Sequence, residues 1–375
     1  KNQMATFSRT FDERRTIERL TKLYGLGPKV LRCSKIINGH INDTYNVTVL
    51  GADGKSHSYI YQRVNSSVFS EPALIMQNLA VIREWLESHQ SDSACHVLTF
   101  LKTRIGTNFV TSPSGGFWRV SEFVEHSIVF DMIEDERVME KTGQAFGEFQ
   151  LQLAGIPMDN IVETIPDFHN TPKRIQTLLD AAAADTEGRA AECEKDIIFF
   201  EDNREHFSTL QRLRDDGIIP VRITHNDTKC NNILFDRDTF DPVMIIDLDT
   251  IMPGLAAYDY GDAIRCAANF APEDEPDLRK VGLNLKYFEA FTRGFVGACK
   301  EVMTDEEEKN LALGAPTLAF ELGARFLTDY LSGDTYFKPE HPHHNLERAR
   351  CQIRLCQDMM KRYDLMCRTV DKYYC

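Results

Sequence analysis

The stretch Ile223-Thr224-His225-Asn226-Asp227-Thr228-Lys229-Cys230-Asn231-Asn232-Ile233-Leu234-Phe235 sets polar side chains between two apolar runs, with Asp227, Lys229 and Asn232 projecting from one loop. A second apolar run, Val243-Met244-Ile245-Ile246, ends in Asp247-Leu248-Asp249. An apolar strand that ends in carboxylates is a natural place for a divalent cation, because hard cations take oxygen ligands. Alone, Asp227 and Asn232 would be turn formers and Asp247 a strand end. Together, at this spacing, they point to a site.

Working outward, the surrounding text is helical. Helical spacing is expected over 131–154, 172–184, 190–213, 286–298, 311–331 and 345–362, with Asp259 opening a further helix. The first hundred residues instead read mainly as strands. Ile36–Val49 holds a Gly39 turn and then alternates, Gly51–Gly54 is a turn, and Ser58–Val64 is a second strand. An amphipathic helix is expected over Pro72–Ser88. Strands follow at 97–101, 110–111 and 118–123, the last two joined at Gly115-Gly116. The expected organisation is a small strand-rich region, 1–126, and a large helical one, 127–375. They meet at Glu122-Phe123-Val124-Glu125, which is too apolar for a flexible tether.

At 375 residues the chain exceeds what one hydrophobic core usually serves, so two lobes are expected. A composition 42% hydrophobic and 27% charged excludes a disordered chain. No uncharged apolar run reaches the ~18–20 residues of a membrane span, so no membrane association is expected. The N-terminal residues up to Phe11 hold no long apolar core, and no signal peptide is expected there. The net charge of −14 comes without a basic cluster, which argues against nucleic acid as a partner. Residues 1–126 hold 15 Lys and Arg against 11 Asp and Glu, whereas the remainder holds 28 against 46. Opposite signs fit two lobes with a cleft between them. Ten cysteines without a Cys-x-x-Cys pair read as reduced thiols, and a cytoplasmic location is expected. His341-Pro342-His343-His344 has too few fixed ligands for a metal tract.

The spacing His-x-Asp-x-Lys-x-x-Asn, followed by a strand and Asp, resembles the catalytic loop and metal-binding Asp of kinase-like phosphotransferases. Only residues 248–258 separate Asp247 from Asp259, and there is no Ala-Pro-Glu, so a protein substrate has little room. That short segment, and Gly143-Gln144-Ala145-Phe146-Gly147-Glu148-Phe149, resemble the aminoglycoside phosphotransferase family. The resemblance implies an α+β, bilobal, protein-kinase-like fold with a small antiparallel-sheet N-lobe and a large, mainly helical C-lobe. It implies ATP and Mg²⁺ as cofactors, Asp227 as base, Lys229 at the transferring phosphoryl group, and Asn232 and Asp247 as metal ligands. His225 would hold the loop, and Asp259 and Asp262 would have structural roles.

Within that family, Asp167–Arg174, Asp247–Gly254, Glu321–Tyr330, Gly333–Phe337 and His344–Arg350 resemble the N-acetylhexosamine 1-kinases. The implied reaction transfers the ATP γ-phosphate to the anomeric hydroxyl of GlcNAc or GalNAc, a small-molecule sugar partner. Asp227, Arg325, Asp329 and Tyr336 would contact the sugar. Arg325 and Asp329 could equally form a plain i,i+4 ion pair, and Tyr336 could simply pack. The glycine-rich loop is reduced to Asn38-Gly39-His40, with Gly39 turning over the phosphates. The usual strand lysine is missing, and Gln62 or Arg63 stands there, of which Arg63 could pair with phosphate. Glu122 and Val124 would present backbone groups to adenine. Two alternatives remain at this stage. One is a kinase of the same fold for choline, homoserine or an aminoglycoside. The other is an inactive nucleotide-binding module.

Overall fold

The structure, a computed structural model, describes residues 2–36, 41–89 and 92–375. The chain forms two compact units, Lys1–Glu87 with Leu98–His126, and Ser88–Val97 with Ser127–Cys375. The segment Ser88–Val97, expected with the first region, therefore folds with the second.

The first unit opens with a helix, α1 (Asn2–Tyr24), where the sequence analysis placed no element. Strands β1 (Lys29–Ile36), β2 (Asp43–Leu50) and β3 (Ser56–Val64) follow, then α2 (Pro72–Ser88). The two-residue β4 (His96–Val97) belongs to the second unit, and β5 (Val110–Thr111) and β6 (Phe117–Glu122) return to the first. The sheet is antiparallel, in the order β1-β2-β3-β6-β5. Strand alternation sorts its residues onto two faces. On one, Ile17, Leu20 and Tyr24 of α1 pack against Val30, Tyr45, Val47, Val49, Tyr61, Trp118 and Val120. The Tyr61 hydroxyl lies 2.7 Å from Thr21 Oγ1, which itself donates to the Ile17 carbonyl. The other face carries Gln62 and Arg119, and α2 reaches it through Met76.

The second unit holds a four-stranded sheet, β4-β10-β9-β7, from β7 (Ser127–Ile128), β9 (Ile233–Asp236) and β10 (Pro242–Ile245), in which β4 lies parallel to β10. A separate pair joins β8 (Arg222–Thr224) to β11 (Met252–Gly254). The helices are α3 (Glu136–Leu153), α4 (Thr171–Ala184), α5 (Glu194–Phe207), α6 (Thr209–Asp215), α7 (Ala256–Ala267), α8 (Leu285–Cys299), α9 (Asp305–Leu311), α10 (Gly314–Leu331), α11 (His344–Lys361) and α12 (Tyr363–Tyr374). Helix α3 starts five residues later than expected, because Asp135 caps it by accepting from the Arg137 N–H at 2.8 Å. The helix expected over 190–213 breaks at Ser208 into α5 and α6. The glycines of the Gly143–Phe149 motif have a packing cause. A Cβ at Gly143 or Gly147 would collide with the carbonyl oxygen of Phe291 or Phe295, so these positions let α3 and α8 approach closely.

Candidate active site

The loop between β8 and β9 is pinned at every backbone group from His225 to Asp227. Asp259, in the first turn of α7, accepts from the His225 N–H at 2.9 Å and the Asn226 N–H at 2.8 Å. The His225 carbonyl accepts from Thr250 Oγ1 at 2.7 Å, and the Asn226 carbonyl lies 3.0 Å from His169 Nε2. The Asp227 N–H donates to His225 Nδ1 at 3.2 Å, and the Asp227 carbonyl accepts from Asn232 Nδ2 at 2.8 Å. Beyond it, Asp262 accepts from the Thr228 N–H at 3.0 Å and is itself held by Arg265. Burial pushes the Asp259 carboxyl up, although the two N–H groups and His225 favour its ionised form.

These bonds assign the imidazole of His225. Its Nδ1 accepts, so Nε2 bears the proton and donates to the Ile246 carbonyl at 2.9 Å. His225 is thus a brace between the loop and the end of β10. Asn226 takes a left-handed backbone, φ 66°, and its amide donates to the Thr250 carbonyl at 2.9 Å. With the backbone tied down, the half-buried Asp227 carboxylate is turned toward Lys229, whose Nζ is 3.9 Å away. Asp227 and then Glu273 push the Lys229 ammonium pKa up, so it stays charged. Burial would raise the Glu273 carboxyl, but Arg265 and Lys229 outweigh it and hold it at about 2.

Asn232 and Asp247 come together because the Ile246 N–H donates to the Asn232 carbonyl at 2.9 Å. Since Asn232 Nδ2 is spent on Asp227, its amide presents Oδ1 for any other partner. Asp247 sits exposed just past β10, also left-handed at φ 56°. An amide oxygen and a carboxylate are a hard donor set, and they fit a divalent cation of the magnesium type completed by phosphate oxygens. Among the described residues, no group of three or more His, Cys, Asp or Glu side chains forms a complete protein cage.

Of the expected sugar-contacting residues, Arg325 and Asp329 lie one turn apart on one face of α10, in line with Glu321, whereas Tyr336 lies in the loop after that helix and Asp227 in the loop between β8 and β9. Glu321, fully buried, has one carboxylate oxygen 2.6 Å from His169 Nδ1, and the other accepts from Thr171 Oγ1 at 3.1 Å. Arg325 lies over the rings of Phe168, Tyr336 and Phe337 at 5.3–5.9 Å. Asp329 does not present itself to a ligand. Its carboxylate accepts from the backbone N–H groups of Thr335, Tyr336 and Phe337 and from Asn345 Nδ2, so it anchors the loop that carries Tyr336. Tyr336 is 58% exposed.

A cavity of about 370 Å³ in the second unit adjoins the loop at Asn226. Its walls include Glu163, Asp167, Asp215, Lys173, Arg214 and His169, whereas Arg325, Asp329 and Tyr336 are not among its lining residues. Sequence reasoning missed Glu163, Arg214 and Asp215, which stand in otherwise ordinary helical or polar text.

In the first unit, Arg63 faces the α1 side of the sheet and is spent on Asp43, directly across the strand pair, at 2.5 Å. Asp43 also pairs with Lys35 at 2.7 Å. Strand alternation and the cross-strand carboxylate both turn Arg63, the expected phosphate ligand, away from the Gln62 face. The cation on the Gln62 face is Arg119, which is buried, donates to Gln62 Oε1 at 3.0 Å and lies over the Phe100 ring. Its signal was the alternation Trp118-Arg119-Val120, which puts Arg119 opposite the two core residues. Glu122 ends β6, and the next residue, Phe123, donates its N–H to the Ser58 carbonyl at 3.2 Å. Val124 follows outside any strand. Gly39 lies outside the described residues.

The sequence matches the phosphotransferase enzyme family over residues 32–293, and the chain belongs to that family. It is thereby a phosphotransferase with the kinase-like α+β fold. Among solved structures it is similar to an amicoumacin kinase in complex with AMP-PNP, Ca²⁺ and Ami, at 12% identity and a TM-score of 0.59, covering 93% of this chain and 95% of that one. A spectinomycin phosphotransferase bound to ADP and spectinomycin matches at 13% identity and a TM-score of 0.56, covering 90% and 93%. A choline kinase from Cryptosporidium parvum matches at 13% and 0.56, covering 92% and 93%. At these identities the likeness is one of fold. Among the described residues, no helix is long and apolar enough to cross a membrane.

Proposed function

We propose that the chain is an ATP-dependent small-molecule kinase that phosphorylates the anomeric hydroxyl of an N-acetylhexosamine by direct in-line transfer. The observation that carries the phosphotransfer is the loop in which every backbone group from His225 to Asp227 is tied, so that the Asp227 carboxylate is held still. Asp227 takes the proton of the attacking hydroxyl as its oxygen meets the γ-phosphorus. Lys229 offsets negative charge gathering on the transferring group. Asn232 Oδ1 and Asp247 would hold a divalent cation, which when bound neutralises phosphate charge. Residues 1–126 serve the nucleotide, with the Glu122 and Val124 backbone at adenine, and residues 127–375 serve chemistry and acceptor.

The sugar assignment is supported by the aromatic patch of Phe168, Tyr336 and Phe337 under Arg325, which suits a pyranose ring and its hydroxyls. A second acceptor class, a cationic amino alcohol or aminoglycoside, would meet three carboxylates in the cavity beside Asn226, of which Asp167 already pairs with Lys173 and Glu163 with Arg214. Coupled ADP release with Mg·ATP across GlcNAc, GalNAc, glucose, choline, homoserine and an aminoglycoside decides between them. Turnover with an N-acetylhexosamine to its 1-phosphate is the expected result. Turnover with amines alone overturns the sugar assignment and keeps the chemistry.

A further inference from the structure

One buried ionisable pair in the second unit has no part in those steps: His169, just before α4, and Glu321 on α10. They are 6% and 0% exposed and lie 2.6 Å apart. On its other side, His169 Nε2 lies 3.0 Å from the Asn226 carbonyl. A carbonyl only accepts, so Nε2 bears a proton and donates. Nδ1 faces a carboxylate oxygen, and a proton there as well makes the ring an imidazolium.

The surroundings support that charge. Burial disfavours it, but Glu321 outweighs burial and the His169 pKa is raised. Burial likewise works against an ionised Glu321, and His169 outweighs it, so the Glu321 pKa is lowered. The groups facing the pair are Tyr258, Asp259 and Asp262 from α7, Arg174 from α4 and Arg325 from α10. The aspartates favour the charged ring, and the arginines favour the charged carboxylate.

We infer that His169 is a positioning residue for phosphoryl transfer: its Nε2–H clamps the Asn226 carbonyl, and so the peptide that carries Asp227, while its Nδ1–H ties that loop to α10. The inference rests on the proposed role of Asp227 as base. Asn226 takes the left-handed backbone, which asparagine enters more readily than other side-chain-bearing residues, and its peptide is held on both sides. Asp259 supplies the N–H clamp and His169 the carbonyl clamp. Glu321 stands one helical turn before Arg325 and two before Asp329, so the same helix face that holds the base loop also holds the Tyr336 loop.

The test uses two variants of the full chain. His169→Leu removes both donors at similar volume, and His169→Gln keeps one donor. Misplacing a base by about 1 Å costs on the order of 10²-fold in rate, so kcat of His169→Leu should fall by about that factor, with KM for ATP and acceptor moving less than about threefold. His169→Gln should recover about tenfold of the loss. Wild-type kcat in His169→Leu, or equal losses in both variants, overturns the inference, because then the ring only fills space. Nitrogen-15 NMR of the histidine rings in the wild-type chain reads the same point without turnover and covers a variant that fails to fold. A His169 ring that keeps both N–H protons to higher pH than an ordinary imidazole is expected, whereas an ordinary titration near 6.5 overturns the inference. Absence of turnover on any acceptor counts against the proposed function, whereas a neutral His169 ring counts against the Nδ1–H tie to α10 and leaves that function standing.

Discussion

Two loops of the second unit are each tied by one buried aspartate, and they are tied differently. Asp259 holds the N–H groups of His225 and Asn226, while His169, Thr250 and Asn232 hold the carbonyls of the same stretch. Asp329 holds the N–H groups of Thr335, Tyr336 and Phe337, with Asn345 bridging from α11 to the Phe337 carbonyl. The first loop is buried but for the half-buried Asp227, Lys229 and Asn231. The second leaves Tyr336 largely in solvent. The difference separates two demands. A general base must be placed to within a fraction of an ångström, at hydrogen-bond distance from the group whose proton it takes, whereas a surface that greets an acceptor can adjust to it.

Breaking the first loop at its chemistry should have the largest effect. Asp227→Asn should lower kcat by about 10²–10⁴-fold, the usual contribution of a general base, while calorimetry still reads nucleotide binding. Breaking the scaffold comes next. Asp259→Ala strips the acceptor from two buried N–H groups, at about 1–3 kcal/mol each, and the loss should be visible in urea denaturation together with reduced kcat. Breaking the second loop should act on the acceptor instead. Asp329→Ala should raise acceptor KM by about tenfold and leave kcat within about threefold, since interactions made equally in ground and transition states move KM alone. Equal losses of kcat in the Asp259 and Asp329 variants would erase the contrast.

A pH series sharpens it. The Glu273 carboxyl is held at about 2 against an ordinary 4.5, so its stabilisation is complete above 4.5 and is lost as pH falls toward 2. Wild type and Glu273→Gln should differ in urea midpoint at pH 6 and converge in that acid window. The smallest effect belongs to the first unit. Arg63→Ala removes an exposed ion pair of about 0–1 kcal/mol and should leave nucleotide KM unchanged. A marked rise in that KM would return Arg63 to the phosphates.

The candidate site was legible because its polar groups lie close together, from His225 to Asn232, and because the strand leading to Asp247 follows closely. The fold's division into a strand-rich and a helical part was legible from periodicity. Its clamps were less so. Asp259 could be suspected from its place after the loop, but the pairing of His169 with Glu321 links residues far apart in sequence, which no local pattern encodes. Helix α1 was missed although Ile17, Leu20, Thr21 and Tyr24 have helical spacing, because the charged residues between them mask the stripe. Arg325 and Asp329 look like a surface pair at spacing four, and only the fold turns one onto aromatic rings and the other onto a loop backbone.

The strand β4 has a consequence for how the molecule is made. It lies beside β10, pairing His96 with Met244 and Val97 with Ile245, directly upstream of Asp247. During synthesis β4 leaves the ribosome well before its partner exists, and it must wait unpaired while helices α3 to α6 are built. The second unit is therefore not a piece of gene that can be cut out at residue 127. Expressed from there, it would lack the edge that borders β10, and supplying the segment 88–97 as a separate peptide should restore it.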